Sequence, residues 1–157
     1  AVAGRGGGPV LLTQRSGLST EVTAELQRLR PEKIVVLGGT GTIDDSVVAS
    51  LQTIAPTSRV AGNDRYSTAV EASKAVFPGR THTVYISSGE VFPDALSASA
   101  TAATSRGPLL LVQKDSIPTS VAAELTRLEP RTIVVVGGPN TVSDRLVSDL
   151  NSYLRAE

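Results

Sequence analysis

The chain contains two copies of one long stretch. Residues 8–54 align with residues 107–153 without a gap, at an offset of about 99 residues. The paired residues agree at close to half of the positions, and most differences exchange one aliphatic or one polar residue for another. Such a duplication is typical of repeat proteins, and it favours a binding or assembly surface over a single catalytic cleft.

The residues between the two copies, 55–106, have almost no counterpart earlier in the chain. Only a short stub precedes the first copy, in which Ala1 and Ala3 match Ala100 and Ala102. We therefore expect the chain to open in mid-repeat. Residues 1–54 would be the C-terminal part of a preceding repeat, and residues 55–157 one complete repeat.

Composition excludes several classes of function. The 157 residues are 40% hydrophobic, which is enough to bury a core. Lys and Arg balance Asp and Glu at 15 each, so no overall charge favours nucleic acid. There is no cysteine for disulfides, thiolate metal sites or thiol catalysis, and no apolar run approaches the length of a membrane span. We expect no nucleic-acid partner and no membrane insertion.

Short apolar runs alternate with amphipathic stretches throughout the chain, which predicts a βα alternation. Six runs are predicted as strands: Val10–Thr13, Ile34–Leu37, Arg59–Ala61, Val84–Ser87, Leu109–Val112 and Ile133–Val136. The runs "KIVVLGG" and "RTIVVVGG" show no in/out alternation, which is typical of parallel strands buried on both faces. The predicted fold class is α/β, a parallel sheet of about six strands flanked by helices.

Helices are predicted where apolar residues recur at three- and four-residue spacing. The residues on these faces are Val22, Leu26 and Leu29, Ile43, Val47 and Leu51, Val121, Leu125 and Leu128, and Val142, Leu146 and Leu150. Asp44 and Ser143 are predicted N-caps. Residues 94–105 are almost all Ala, Ser and Thr after Leu96, so we expect an internal helix or one at a subunit contact.

Four motifs carry a family resemblance: "RVAGNDRYSTA" at residues 59–69, "VYISSGEVFPDAL" at 84–96, "GPLLL" at 107–111 and "IVVVGGPNTVS" at 133–143. In this order and spacing they resemble the cell-wall-binding type 2 repeats of Gram-positive surface proteins and wall-lytic amidases. The resemblance implies an α/β parallel-sheet unit, an extracellular setting and non-covalent attachment to anionic secondary wall polymers. In that family the repeats usually occur in threes and form a trefoil-like or trimeric module.

Two glycine pairs follow predicted strands and precede predicted helices. Gly38 and Gly39 lie in "LGGTGT", and Gly137 and Gly138 lie in "VGGPNT". Their backbone N–H groups, together with a helix N-terminus, could hold an anion. The alternative is that they form tight turns that need glycine. Neither loop fits a dinucleotide or P-loop motif, so we expect no nucleotide cofactor.

Asp64, Arg65 and Tyr66 precede a predicted helix. Asp64 can cap it, Arg65 can contact a carboxylate or phosphate, and Tyr66 offers a ring and a hydroxyl to a sugar. Together they suit an anionic glycan. A structural ion pair between Arg65 and Asp94 is the equally weighted alternative.

A polar loop with Ser88, Gly89 and Asp94 follows another predicted strand. Its "SSGE" is not a nucleophile elbow, and His82, the one histidine, precedes the strand and should lie at the opposite sheet edge. Nucleophilic catalysis therefore has no base, although Glu90 and Asp94 stay open as an acid/base pair. We expect no enzyme, no cofactor and no metal site.

The sequence predicts a non-catalytic module that anchors a secreted protein to the cell wall. Its partner would be an anionic cell-wall polysaccharide or teichoic-type polymer, and its location extracellular and wall-associated. The alternative is a self-association module, a homo-oligomer that displays a neighbouring effector domain. The predicted ligand-binding residues are Asp64, Arg65, Tyr66, Ser88, Gly89, Asp94, Gly38, Gly39, Gly137 and Gly138.

Overall fold

A computed structural model describes residues 2–156, so the predicted match of Ala1 with Ala100 lies outside the described residues. Within this range the chain forms seven α-helices, five strands and one 3-10 turn. The helices are α1 (Val2–Gly6), α2 (Thr20–Leu29), α3 (Asp45–Gln52), α4 (Arg65–Val76), α5 (Phe92–Thr104), α6 (Thr119–Leu128) and α7 (Asp144–Leu150). The strands are β1 (Ile34–Leu37), β2 (Thr57–Val60), β3 (Thr83–Ser88), β4 (Leu109–Val112) and β5 (Thr132–Val136), and the 3-10 turn is Asn151–Tyr153.

The strands form two parallel sheets. One has the order β1-β2, with Val36 opposite Arg59. The other has the order β4-β3-β5, in which Ile86 of β3 lies opposite Leu110 on one side and Val135 on the other. Helix α3 connects β1 to β2, α5 connects β3 to β4, and α6 connects β4 to β5. Parallel pairing requires such crossover connections. The predicted α/β fold with parallel strands and flanking helices is confirmed.

The prediction of a strand at Val10–Thr13 is wrong. This segment has no regular secondary structure, and its Val10 and Leu12 side chains are 70% and 85% exposed. Its repeat counterpart is β4, which pairs with β3. Within residues 2–156 no strand lies beside this segment to pair with it. Sequence similarity alone does not make a strand, because strand pairing is non-local.

The prediction that both Ile-Val-Val runs are buried on both faces is wrong: β5 has no buried residue, and β1 has one, Val36. Val35 and Leu37 of β1 are 37% and 45% exposed. The strand buried on both faces is β3, in which every residue from Val84 to Ser88 is buried. The reason is position: β3 is the central strand of its sheet, whereas β1 has a partner on one side alone within the described residues.

Each half of the chain has its own hydrophobic cluster. In the first, Leu26, Val36, Val47 and Leu51 pack between α2, α3 and β1. The second is larger and includes the corresponding helix residues, namely Val121, Leu125, Leu128, Val142, Leu146 and Leu150, together with Val84 and Ile86 from β3. The predicted helix faces are therefore confirmed, except that Leu29 is not part of the first cluster. The second cluster is larger because β3, β4 and α4 contribute to it.

The two halves repeat the same local backbone. Helices α2 and α6 both end in a left-handed residue, Arg30 and Glu129, whose N–H bonds the carbonyl four residues earlier. Of the two predicted N-caps, Ser143 accepts a bond from the Leu146 N–H. Asp44 occupies the N-cap position without a side-chain cap bond and pairs instead with Arg15. The two copies thus share the same helix ends, although their N-cap bonds differ.

The predicted division at residues 54 and 55 describes the sequence repeat and stays a prediction. One sheet contains strands from both sides of this division, because β2 follows residue 55 and pairs with β1, which precedes residue 54. The boundary between the two sheets therefore does not coincide with the boundary between the two sequence repeats.

The buried carboxylate of Glu124 joins α4 and α6. Glu124 accepts a bond from Ser73 Oγ at 2.6 Å and pairs with Arg127 at 2.7 Å. Arg127 in turn donates to the carbonyls of Phe77 and Pro78 beyond the end of α4. The repeat counterparts Glu25 and Arg28 form the same pair in the first half, but at an exposed site.

These two pairs give a matched test of burial. We expect Glu124→Ala to lower the free energy of unfolding by about 3 kcal/mol, because it strands a buried hydroxyl and a partly buried guanidinium. Glu25→Ala should change it little, because water and salt screen the exposed pair. Urea unfolding of the two variants checks this. Equal losses would contradict the assigned difference in burial.

Candidate functional site

Several predicted site residues lie at the carboxyl ends of parallel strands, where open α/β sheets place ligands. The loop after β3 meets the first turn of α4 and the turn after β5. Arg65 Nη1 donates to the Gly89 carbonyl at 2.5 Å, which ties α4 to the β3 loop. Asp94, at the start of α5, accepts a bond from Thr141 beyond β5 at 2.9 Å.

Asp64 caps α4, as predicted. Its Oδ1 accepts a bond from the Ser67 N–H at 2.7 Å, and Ser67 Oγ accepts one from the Asp64 N–H at 3.0 Å, which completes a capping box. The backbone N–H of Ser67 is the main group that holds the pKa of Asp64 below its ordinary value, with the Ser67 hydroxyl second. The carboxylate is thus engaged by its own helix.

Tyr66 lies against Gly89. A side chain at Gly89 would overlap the Tyr66 ring, so glycine is required there by close packing. Burial is the main cause that raises the pKa of Tyr66, and the negative charge of Glu90 raises it further. Arg65, Tyr66, Gly89 and Glu90 are therefore grouped at one place on the surface.

Ser88 shapes the loop. Its Oγ accepts bonds from the N–H groups of Glu90 at 3.1 Å and Val91 at 3.2 Å, and the residue is 1% exposed. A hydroxyl that accepts two backbone bonds in a buried position is typical of a turn-forming serine. His82 lies before β3, where its carbonyl accepts bonds from Arg131 and Thr132 at the amino end of β5.

Asp94 packs against the glycine turn after β5. Gly137 has a φ of 139°, which favours glycine, and a Cβ there would come within 3.0 Å of Asp94 Oδ2. Thr141 Oγ1 bridges the turn by donating to Asp94 Oδ2, and the Gly138 carbonyl is 3.1 Å away. The alternative of an Arg65–Asp94 ion pair is wrong, because Asp94 turns to Thr141 and Arg65 to Gly89.

The equivalent turn in the first half has another partner. Gly38 has a φ of 123°, and its carbonyl accepts a bond from Arg59 Nη1 at 2.6 Å. Arg59 also contacts the Ile43 carbonyl at 2.9 Å and Asp45 at 3.1 Å. Gly39 approaches Gly62, which precedes the α4 cap. Both glycine turns therefore have a structural role, and anion binding by their N–H groups stays a prediction.

Three residues of the site region were not predicted. The sequence assigns Arg59 to a predicted strand alone, yet its side chain anchors the first glycine turn. Thr141 holds Asp94, and its repeat counterpart Thr42 could have drawn attention to it. Phe92 is 70% exposed beside the β3 loop, and the sequence reading placed it inside the "FPDAL" motif without a role.

Residues 2–156 offer neither a metal site nor a membrane-spanning helix. No group of three or more His, Cys, Asp or Glu side chains is arranged to hold a metal ion there. No helix in this range has the length and apolar character to cross a bilayer.

The sequence model of cell wall binding domain 2 (CWB2) matches residues 59–147. The chain is 28% identical over 148 residues to N-acetylmuramoyl-L-alanine amidase LytC of Bacillus subtilis (strain 168), a match that covers 94% of the chain and 29% of the amidase. It is 27% identical over 142 residues to the Amidase enhancer of the same organism, covering 90% of the chain and 19% of that protein. The chain thus spans less than a third of these relatives.

Two solved structures share the fold. Cwp6 from Clostridium difficile superposes with a TM-score of 0.88 at 23% identity, over 98% of this chain and 25% of that one. Cwp8 from the same organism gives 0.82 at 26% identity, over 98% and 26% of the two chains. The likeness therefore extends over both halves of the chain.

Asp64 is predicted to stabilise the fold in a pH-dependent manner. Because its pKa is lowered in the folded state, its contribution is present above the unfolded pKa and is lost as pH falls through the folded pKa. Asp64→Ala should lower the free energy of unfolding by about 1 kcal/mol at neutral pH. The difference from the parent should shrink below about pH 4.

The control is Asp44→Ala, since Asp44 is the N-cap of α3 and makes no side-chain cap bond. It should cost less, and salt should reduce the loss because its partner is the exposed Arg15. Urea unfolding at several pH values separates the two. A pH-independent loss for Asp64→Ala would argue against the cap.

Proposed function

Because the chain belongs to the cell wall binding domain 2 family, we propose that it is a non-catalytic module that anchors a secreted protein to anionic secondary polymers of the cell wall. The family supports wall binding and wall association. The anionic polymer as ligand, the extracellular setting and the anchoring of a neighbouring domain are the parts that we add.

The observation that supports the proposal most directly is that Arg65 is exposed and has N–H donors without a partner in the hydrogen bond to Gly89. One of its guanidinium nitrogens bonds the Gly89 carbonyl, and the side chain otherwise faces solvent. A guanidinium has five N–H donors, so several stay available for a phosphate or carboxylate. The bond to Gly89 fixes its position, which lowers the entropy that binding would cost.

Apolar surface next to this cation suits a sugar chain. Phe92 is exposed, and Val91 beside it is partly so. An aromatic face packs on the C–H face of a pyranose, while the cation contacts the acidic substituent. Since the whole chain has no net charge, this local pairing of ring and cation must supply the preference for an anionic glycan.

The polar groups that could act as catalysts have structural partners. Ser88 is buried and accepts two backbone bonds, and Asp94 is engaged by Thr141. Of the predicted acid/base pair Glu90 and Asp94, Asp94 is therefore already engaged within the protein. These contacts support a binding role for the region, in keeping with the family.

Arg65→Gln tests the proposal directly. We expect about tenfold weaker retention on purified Gram-positive walls, because one charge-assisted contact is lost. Arg131→Gln is the matched control, since it removes one exposed arginine at the amino end of β5 instead. Its retention should equal that of the parent. Urea unfolding of both variants verifies that each is folded.

The same pull-down is repeated on walls stripped of secondary polymers by acid. The parent should lose retention on stripped walls and regain none at low salt. Equal retention before and after stripping would overturn the anionic polymer as ligand. Equal loss in Arg65→Gln and Arg131→Gln would point to a diffuse charge effect and would also contradict the site.

Self-association is the second candidate function, with display of a neighbouring effector domain as its outcome. It is favoured by α5, whose Ala98 and Ala102 are buried while Phe92 and Leu96 are exposed. The outer face of this helix carries small residues, so another helix can approach closely. Within the chain α1 already does so, because a Cβ on Gly4 would clash with Ala103.

Light scattering over a concentration series tests this second candidate. The parent should form dimers or larger species as its concentration rises, and Leu96→Ser should shift it towards the monomer, because an exposed apolar contact is removed. Ser97→Ala, on the same helix and also exposed, is the control. A strict monomer at every concentration, with wall retention intact, would reject self-association.

A further inference from the structure

We propose that a groove beside α7 binds uncharged, hydroxyl-rich sugar units. The groove lies between the loop after β4 and the surface formed by α7 and the 3-10 turn, and its volume is about 550 Å³. Ligand sites in proteins commonly have volumes of about 300 to 1,000 Å³. This groove is separate from the Arg65 site, and its role goes beyond the proposed function because it takes the opposite ligand chemistry.

Backbone bonds hold the loop wall of the groove in place. The Lys114 carbonyl accepts a bond from the Ser143 N–H at 3.0 Å, which ties the loop to the start of α7. Within the loop, the Gln113 N–H donates to the Ser116 carbonyl at 3.2 Å. The wall is therefore fixed before any ligand arrives, which lowers the entropy that binding would cost.

The floor of the groove is apolar. Ile117 and Tyr153 line it, and both are partly buried because they also pack against the second hydrophobic cluster. The core thus fixes one side of each residue, and the other side borders the groove. An aromatic ring beside an aliphatic side chain suits the C–H face of a pyranose.

Three serines line the groove, and each already donates its hydroxyl hydrogen within the protein. Ser148 Oγ donates to the carbonyl four residues earlier at 3.0 Å, and Ser152 Oγ donates to the carbonyl three residues earlier at 2.7 Å. Ser116 Oγ donates to the side-chain carbonyl of Gln113. A serine hydroxyl has one hydrogen and two lone pairs, so all three serines can still accept a bond but have none to donate.

Two carboxylates complete the rim. Asp115 and Asp149 line the groove, and neither carboxylate has a hydrogen-bond or ion-pair partner among residues 2–156. An ionised carboxylate accepts hydrogen bonds and donates none. Apart from the phenol of Tyr153, the polar side chains of the groove therefore offer acceptors alone.

A rim of acceptors selects a ligand that brings donors. Sugar hydroxyls supply them, whereas an ionised phosphate or carboxylate has none and is repelled by the two aspartates. A basic peptide also carries donors. The five acceptors around an apolar floor, however, match a pyranose, in which several hydroxyls surround an apolar face. The occupant is thus a sugar chain whose units carry no acidic group.

The chemistry of this groove occurs in one of the two sequence copies. The counterparts of Asp115, Asp149 and Tyr153 are Ser16, Ser50 and Ile54. Helix α3 forms with Ser50, as its counterpart α7 forms with Asp149. The carboxylates and the ring are therefore not needed to build the frame, and exchanging them for their counterparts gives variants that keep it.

The test follows backbone amide chemical shifts of the whole chain by nuclear magnetic resonance. The probes are neutral hexasaccharides of glucose, mannose and N-acetylglucosamine. We expect at least one of them to shift the amides of residues 115–117 and 148–153. A hexasaccharide of galacturonic acid, which has a carboxylate on every unit, should shift none of these amides. Under the proposed function it should shift those around Arg65 and Gly89 instead.

Asp149→Ser and Tyr153→Ile are the test variants. Each should weaken binding of the neutral hexasaccharide about fivefold, because one removes a charged acceptor and the other a ring contact. Asp144→Ser is the matched control, since Asp144 is an exposed acid of the same helix that does not line the groove. Its affinity should equal that of the parent. Urea unfolding verifies that all three variants are folded.

Three outcomes would overturn the assignment. The first is the absence of shifts at the groove with all three neutral hexasaccharides. The second is an equal affinity of Asp149→Ser and Asp144→Ser. The third is binding of a lysine hexapeptide at the groove without binding of the sugars, which would assign it to a basic peptide. All three are read at the groove amides, so a failure here is distinct from a failure of wall retention through Arg65.

Discussion

The pairing of β3 on both edges is the constraint on which the second half depends. Parallel pairing with β4 and β5 satisfies its backbone, and both of its faces are buried, one with Val84 and Ile86 and the other with Tyr85. Since a central strand has no solvent-facing side, its residues can be apolar throughout. The loop that follows it then reaches the carboxyl edge, where Ser88 and Gly89 hold the turn beside Arg65 and Tyr66.

The first half shows what the same sequence does without that strand. Its helices, the left-handed end of α2 and its glycine turn form as in the second half, because they depend on local contacts. Its apolar cluster is smaller, and Val10–Thr13 stays without strand structure. The ion pairs differ in the same way, because Glu124 is buried and its counterpart Glu25 is exposed. Tertiary partners thus decide whether a repeated residue is buried.

At the carboxyl edge most polar side chains are engaged within the protein. Asp64 caps a helix, Ser88 closes a turn and Asp94 bonds Thr141. These bonds fix the loops, so that the exposed Arg65 and Phe92 are displayed on a rigid support. Under the proposed function, preorganisation of this kind lowers the entropy cost of binding at the site.

The sequence by itself determined the repeat, the βα alternation, the helix faces and the role of Asp64 as a cap, because these follow from local periodicity and side-chain chemistry. It also named Arg65, Tyr66 and Gly89 as candidates, but in two separate motifs, and the structure brings them together. Only the tertiary structure decided that Val10–Thr13 is not a strand, that Asp94 bonds Thr141 instead of Arg65, and that Arg59 anchors a glycine turn. Those outcomes depend on contacts between segments that are far apart in the sequence, and such contacts leave no signal in the local sequence.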